Sequence, residues 1–152
     1  STDLPKGKGW APIYYSIFNN ETFFTISGIT ASNKVDSGKI IVKGKFKILP
    51  NHTAEYIRKW DEEISIILIK TILKKIKNTK ISGIPQKGKI TFYKKRLPED
   101  NELSSKNMIN HLRACEKNHP AFFYNKNEKF FINIEPENIP KFPKDLKIKF
   151  YF

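Results

Sequence analysis

At 152 residues and 17.7 kDa the chain has room for one domain with a core of its own. One cysteine, Cys115, excludes an internal disulfide and a Cys-rich zinc site, and no apolar run approaches the roughly 18 residues that cross a bilayer. Lys and Arg outnumber Asp and Glu by 28 to 15, a net charge of +13, which points to a polyanionic partner. All of these cations except Arg58, Arg96 and Arg113 are lysines. AT-rich codons favour Lys, but they favour Glu equally, so codon usage alone does not account for the excess.

Residues 1–9, with Pro5, Gly7 and Gly9, read as a flexible arm ahead of a single domain over 10–152, and no apolar stretch makes them a signal peptide. Residues 10–18 and 22–29, rich in aromatic and β-branched side chains, are expected to be strands, with a hairpin at Asn19-Asn20. Turn formers fill 30–38. Over 39–48, Ile40, Val42, Phe46 and Ile48 alternate with Lys39, Lys43, Lys45 and Lys47, the pattern of a strand with one buried and one wet face. Gly44 falls on the apolar face, where it would mark a bulge or bend.

Pro50-Asn51 stops this strand and is expected to cap a long helix over 53–78. Trp60, Ile64, Leu68, Ile72 and Ile76 form its apolar stripe with Ile57 and Ile67, opposite Lys59, Lys70, Lys74 and Lys77. Residues 89–95 predict a strand with Ile90 and Phe92 inward and Lys89, Tyr93 and Lys95 outward. A shorter helix is expected over 104–118, capped by Ser104 or Ser105, with Met108, Ile109, Leu112 and Cys115 facing the core. Strands at 121–125 and 129–134 form a hairpin, the prolines of 135–145 make a loop, and 146–152 alternates once more.

The fold expected from this order is α+β, an antiparallel sheet of five to seven strands with one long and one shorter helix. Its sharper form is a barrel-like, OB-like closure. On that sheet Lys43, Lys45, Lys47, Lys89, Tyr93, Lys95, Lys147, Lys149 and Tyr151 would make a lysine field with tyrosine platforms, as single-stranded nucleic acid requires. Phe92 and Phe150, one residue before the tyrosines, are expected in the core. The three histidines, His52, His111 and His119, show no convergent spacing. Cys115 reads as a buried structural thiol, and no phosphate-cradling, nucleophile-elbow or dinucleotide motif is present.

These features point to a non-enzymatic, intracellular (nuclear or cytoplasmic) module that binds single-stranded DNA or RNA with weak sequence preference, without metal or cofactor. The alternative is an assembly subunit of a larger nucleoprotein complex, meeting protein partners through Ile66, Leu73, Phe142 and Phe152.

Overall fold

The computed structural model describes residues 1–152. Its centre is a three-stranded antiparallel sheet in the order β2 (Phe23–Ile29), β3 (Ile40–Lys47), β7 (Lys147–Phe150), covered by the long helix α2 (Ala54–Ile76). The period-two pattern of β3 holds: Val42 and Phe46 are fully buried and Lys45 and Lys47 are exposed. Phe24 and Ile26 of β2 lie on the same face, and Ile57, Trp60, Ile64 and Leu68 of α2 close over them. The register irregularity falls between Gly28 and Ile29 rather than at Gly44. Gly44 instead faces the helix, where a Cβ would stand 3.5 Å from the Ile64 side chain. The N-cap of α2 is Thr53, and the Asn51 side chain donates to the Asn138 carbonyl. Ile67 and Ile76, expected on the apolar stripe, are exposed with Ile66, Ile69 and Leu73.

The first expected strand is a helix, α1 (Pro12–Phe18). Pro12 sits in the first turn, where its missing N–H costs nothing. Ile13, Tyr14 and Ile17 then face the core, and Tyr14 stacks on Phe18 one turn later at 5.2 Å. Tertiary packing here overrides aromatic β-propensity. Asn19 and Asn20 end this helix instead of turning a hairpin, the Asn19 N–H donating to the Tyr15 carbonyl.

The second helix, α3 (Met108–Ala114), is shorter than expected, is capped at Asn107 rather than Ser104 or Ser105, and is turned differently. Met108 and Ile109 are exposed, while His111, Arg113 and Ala114 are buried. Hydrogen bonds set this orientation. His111 donates to the Asp100 carbonyl at 3.1 Å, and Arg113 donates to the carbonyls of His52 (3.0 Å) and Leu49 (2.7 Å). Buried polar groups must find partners, and here they outweigh the apolar period.

The remaining strands form two separate pairs. β1 (Lys8–Gly9) runs parallel to β4 (Phe92–Tyr93), and β5 (Ala121–Asn125) pairs antiparallel with β6 (Glu128–Ile132). The expected single antiparallel sheet of five to seven strands is not formed: the strands divide into sheets of two, three and two, one of them parallel, and no barrel closes. Residues 1–9 lie along this structure: Leu4 is buried, and the Lys8 N–H donates to the Thr91 carbonyl at 2.9 Å.

Candidate functional site

Three loops converge beside β1. The first is the Lys6–Ala11 segment, the second is 30–38 and the third is 83–90. Loop 30–38 is closed at its neck, where Thr30 N–H donates to the Lys39 carbonyl (2.9 Å) and Lys39 N–H to the Thr30 hydroxyl (3.0 Å). Gly38 makes the neck possible, since a Cβ there would lie 1.8 Å from the Thr30 carbonyl oxygen. At the tip, Asp36 adopts φ 54°, a left-handed conformation that side-chain-bearing residues rarely hold. Its carboxylate Oδ2 accepts the Gly9 N–H at 3.1 Å, and its carbonyl accepts Gln86 Nε2 at 2.9 Å. Gly9 (φ 101°) approaches so closely that a Cβ would meet the Tyr93 carbonyl at 2.6 Å. Ala11, two residues on, is also left-handed at φ 47°. Such strain costs about 1–3 kcal/mol per residue and gathers where geometry serves function. The result is a half-exposed carboxylate held by the Gly9 N–H, on a backbone anchored by Gln86.

Gly9 is followed directly by Trp10, which borders a cleft of 740 Å³ together with Tyr14, Lys95, Arg96, Lys129 and Phe131 among others; Asp36 itself does not line that cleft. That size suits a substrate-sized organic molecule. Lys95 stands over the Trp10 ring at 5.2 Å, and Lys129 over Phe122 at 3.6 Å. The Arg96 guanidinium lies 3.4 Å from the Tyr14 ring centre and hydrogen-bonds Asn101, whose amide donates to the carbonyls of His119 and Pro120. Burial pushes the Tyr14 hydroxyl up to about 12 and also raises the Cys115 thiol. Tyr14 is therefore a protonated wall residue of the cleft, and Cys115 a protonated thiol behind it.

The expected lysine field is brought together only in part. On the outer face of the central sheet, Lys43 stands opposite Lys149 and Lys45 opposite Lys147, with Lys47 at the end of β3. Lys43 is neutralised by Asp3, and Lys45 covers the Phe23 ring at 4.0 Å. Lys89, Tyr93 and Lys95 belong to the β1–β4 region, outside the central sheet, with Tyr93 alone lining a pocket shared with Lys45. The tyrosine platforms are also corrected. Phe92 is 73% exposed, whereas Tyr93 is turned inward and stacks on Tyr15 at 4.5 Å. Tyr151 is half-buried, its N–H bonded to the Ile41 carbonyl. His52 and His111 are buried in different contacts, His52 against Trp60 and His111 against Tyr14 and Phe18, and His119 is exposed.

Sequence reasoning missed Asp36 and the glycines that hold it. The available signals were an Asp-Ser-Gly tripeptide in a nine-residue polar loop and two glycines separated by one lysine in the supposed arm. A long polar loop on a rigid scaffold is where reactive groups concentrate.

No protein-family model matches the chain. It is 38% identical over 120 residues to the methionyl-tRNA formyltransferase of Borrelia garinii subsp. bavariensis, an alignment covering 74% of this chain and 37% of that protein. The chain thus spans little more than a third of that relative's length. Its fold superimposes on methionyl-tRNA formyltransferase from Clostridium thermocellum with a TM-score of 0.73 at 22% identity, covering 98% of this chain and 66% of the other. It also superimposes on an N-formyltransferase from Helicobacter canadensis in complex with folinic acid and dTDP-3-aminofucose, with a TM-score of 0.66 at 22% identity, covering 82% and 48%. These relatives correct the expected fold, since the chain shares the mixed-sheet fold of formyltransferases and not an OB-like barrel. They also overturn the expectation of a non-enzymatic single-stranded nucleic-acid module, because the relatives are enzymes. The alternative of an assembly subunit docking through Ile66, Leu73, Phe142 and Phe152 finds no support among them, although all four side chains are exposed. No helix is long and apolar enough to cross a membrane.

Proposed function

We propose that this chain carries the carboxylate-bearing part of a formyltransferase site, moving a formyl group from a formylated folate to an amine, with an aminoacyl-tRNA as the acceptor class. The observation that carries the reading is the Asp36 carboxylate, held in a strained loop by the N–H of Gly9, the residue before Trp10 of the 740 Å³ cleft. Formyl transfer forms a carbon–nitrogen bond to the acceptor amine and breaks one to the donor nitrogen. The acceptor nitrogen must lose a proton and the donor nitrogen must gain one. A carboxylate fixed in a rigid loop serves that proton movement. Trp10 follows Gly9 directly and borders the cleft, so an acceptor seated there lies within one residue of the loop that holds Asp36.

The tRNA preference rests on the 38% relative and on the charge. In this reading Lys45, Lys47, Lys147 and Lys149 meet phosphates of the acceptor while the chemistry occurs at Asp36. A tRNA acceptor also places the reaction inside the cell. The test is formylation of methionyl-tRNA with a formyl-folate donor, comparing the protein with its Asp36→Asn variant. Turnover is expected to fall by about 10²–10⁴, the usual worth of a positioned acid–base group, with unchanged thermal stability. Undiminished turnover in the folded variant would remove Asp36 from the reaction.

A further inference from the structure

Loop 30–38 makes its hydrogen bonds mainly within itself. Ser32 and Ser37 bond to each other (2.9 Å) and to the Lys34 carbonyl, and the neck joins Thr30 to Lys39. Its bonds to the rest of the chain come from Gly9, which donates to the Asp36 carboxylate, and from Gln86. The Gln86 Nε2 donates to the carbonyls of both Asp36 (2.9 Å) and Gly38 (2.8 Å), so it fixes the backbone on either side of Ser37. Its Oε1 is left enclosed without a donor. An enclosed amide oxygen without a donor is costly, so this side chain is a poor source of stability. What it supplies is position. The segment that carries it is itself tied down, since Ile84 exchanges two backbone hydrogen bonds with Ile40 at 2.8 and 2.9 Å. Further along the same segment, Thr91 holds the strand that leads to Gly9. The Thr91 Oγ1 accepts the Gly7 N–H at 2.8 Å, and its carbonyl accepts the Lys8 N–H at 2.9 Å.

We propose that Gln86 and Thr91 are positioning residues of the Asp36 site. One segment, 84–91, grips both the backbone that bears the carboxylate and the backbone that leads to its Gly9 donor, and so sets the distance between them. Neither side chain bonds the carboxylate itself. A side-chain-bearing residue at φ 54° persists only where its surroundings over-determine it, and the two Gln86 bonds are the restraint on that backbone from outside the loop. Without them Asp36 relaxes and its carboxylate moves. A displacement of about 1 Å at a reacting group can cost roughly 10²-fold in rate. What Asp36 does rests on the formyl-transfer reading, whereas the positioning stands on these bonds alone.

The experiment takes Gln86→Met, which keeps the length of the side chain and removes both bonds, and measures hydrogen exchange at the Gly9 amide together with formylation of methionyl-tRNA. The Gly9 amide is expected to exchange about tenfold faster or more, with the thermal midpoint unchanged or higher. The kcat is expected to fall roughly 10- to 100-fold, with the KM for methionyl-tRNA unchanged. In an Asp36→Asn background the same substitution should cost no further turnover, because its effect passes through the carboxylate. Thr91→Val is expected to behave as Gln86→Met does, and Thr91→Ser, which keeps the hydroxyl, to recover most of what Thr91→Val loses. The Thr91 pair carries the test if Gln86→Met folds poorly. Unchanged Gly9 exchange in both Gln86→Met and Thr91→Val, or turnover losses that add to that of Asp36→Asn, overturns the proposal. Faster Gly9 exchange in a protein that transfers no formyl group supports the positioning and removes the formyl-transfer reading, so the two fail separately.

Discussion

Phe92 and Tyr93 show how one residue's environment is decided elsewhere in the chain. Alternation alone sends Phe92 inward, but β4 is only two residues long and pairs with Lys8–Gly9. Gly7 leaves a space that the Tyr93 ring occupies, a Cβ there meeting Tyr93 Cε2 at 2.6 Å, and Tyr15 stacks on the other side. Tyr93→Ala should therefore cost about 2–3 kcal/mol, combining lost burial with a lost ring pair. Phe92→Ala should stay within about 0.5 kcal/mol, as surface changes do. Urea midpoints of the two variants check this, and the reverse order would mean that the strand is turned over in solution. His52 makes a second residue-scale prediction. Burial first, and the nearby Arg113 second, lower its pKa from 6.5 to about 4. The unfolded chain then binds the proton more readily than the folded one, so stability is complete above pH 6.5 and declines as pH falls toward 4. The loss amounts to roughly 3 kcal/mol at its limit. His52→Gln should flatten that part of the pH–stability curve, and an unchanged slope would assign the acid sensitivity to other groups.

At the scale of elements, legibility followed the range of the interactions. β2, β3, α2 and the β5–β6 hairpin were readable because each carries its own period and its own turns. α1 was not, because its aromatic run suits a strand locally and becomes a helix through packing against α3, which sequence order does not reveal. α3 was misoriented because its inward groups are His111 and Arg113, whose acceptors lie on distant loops at Asp100, Leu49 and His52. The candidate site was the least legible part. Asp36 acquires its character from a left-handed backbone and from Gly9, 27 positions away. Two glycines separate these cases experimentally. At Gly44 an added methyl meets only side chains at 3.5–3.8 Å, so Gly44→Ala should change stability by less than about 1 kcal/mol. At Gly38 the same methyl falls 1.8 Å from a backbone oxygen, which cannot yield without opening the neck of loop 30–38. Gly38→Ala should lose hydrogen-exchange protection of Lys39 and Gly9 and, in the proposed reading, formyl transfer with it, whereas intact protection would show that the neck does not hold Asp36.

For the molecule as a whole, the net charge of +13 must be reconciled with a fold that shares its layout with enzymes. Part of the charge is locally answered, as in Lys43–Asp3, Lys6–Glu21 and Arg58–Glu116. The Lys45–Lys147 pair is not, since the two stand directly opposite across β3 and β7 and neither forms an ion pair. Like charges in that position destabilise a sheet by a few tenths of a kcal/mol up to about 1 kcal/mol. A fold that retains such a pair on an open face gives up stability, and in the proposed reading an anionic acceptor would return it on binding. Salt should therefore stabilise the free protein by screening this repulsion, with the urea midpoint rising between low and high ionic strength. Lys147→Glu should raise stability at low salt by about 0.5 kcal/mol, because it turns a repulsive cross-strand pair into an attractive one, and should reverse the sign of the local salt response. The same variant should bind tRNA more weakly and with a shallower salt dependence, since one fewer phosphate is neutralised and a negative charge replaces the lysine. If Lys147→Glu gains stability but binds tRNA as before, the face repels itself without serving the acceptor, and the phosphate contacts must lie elsewhere on the chain.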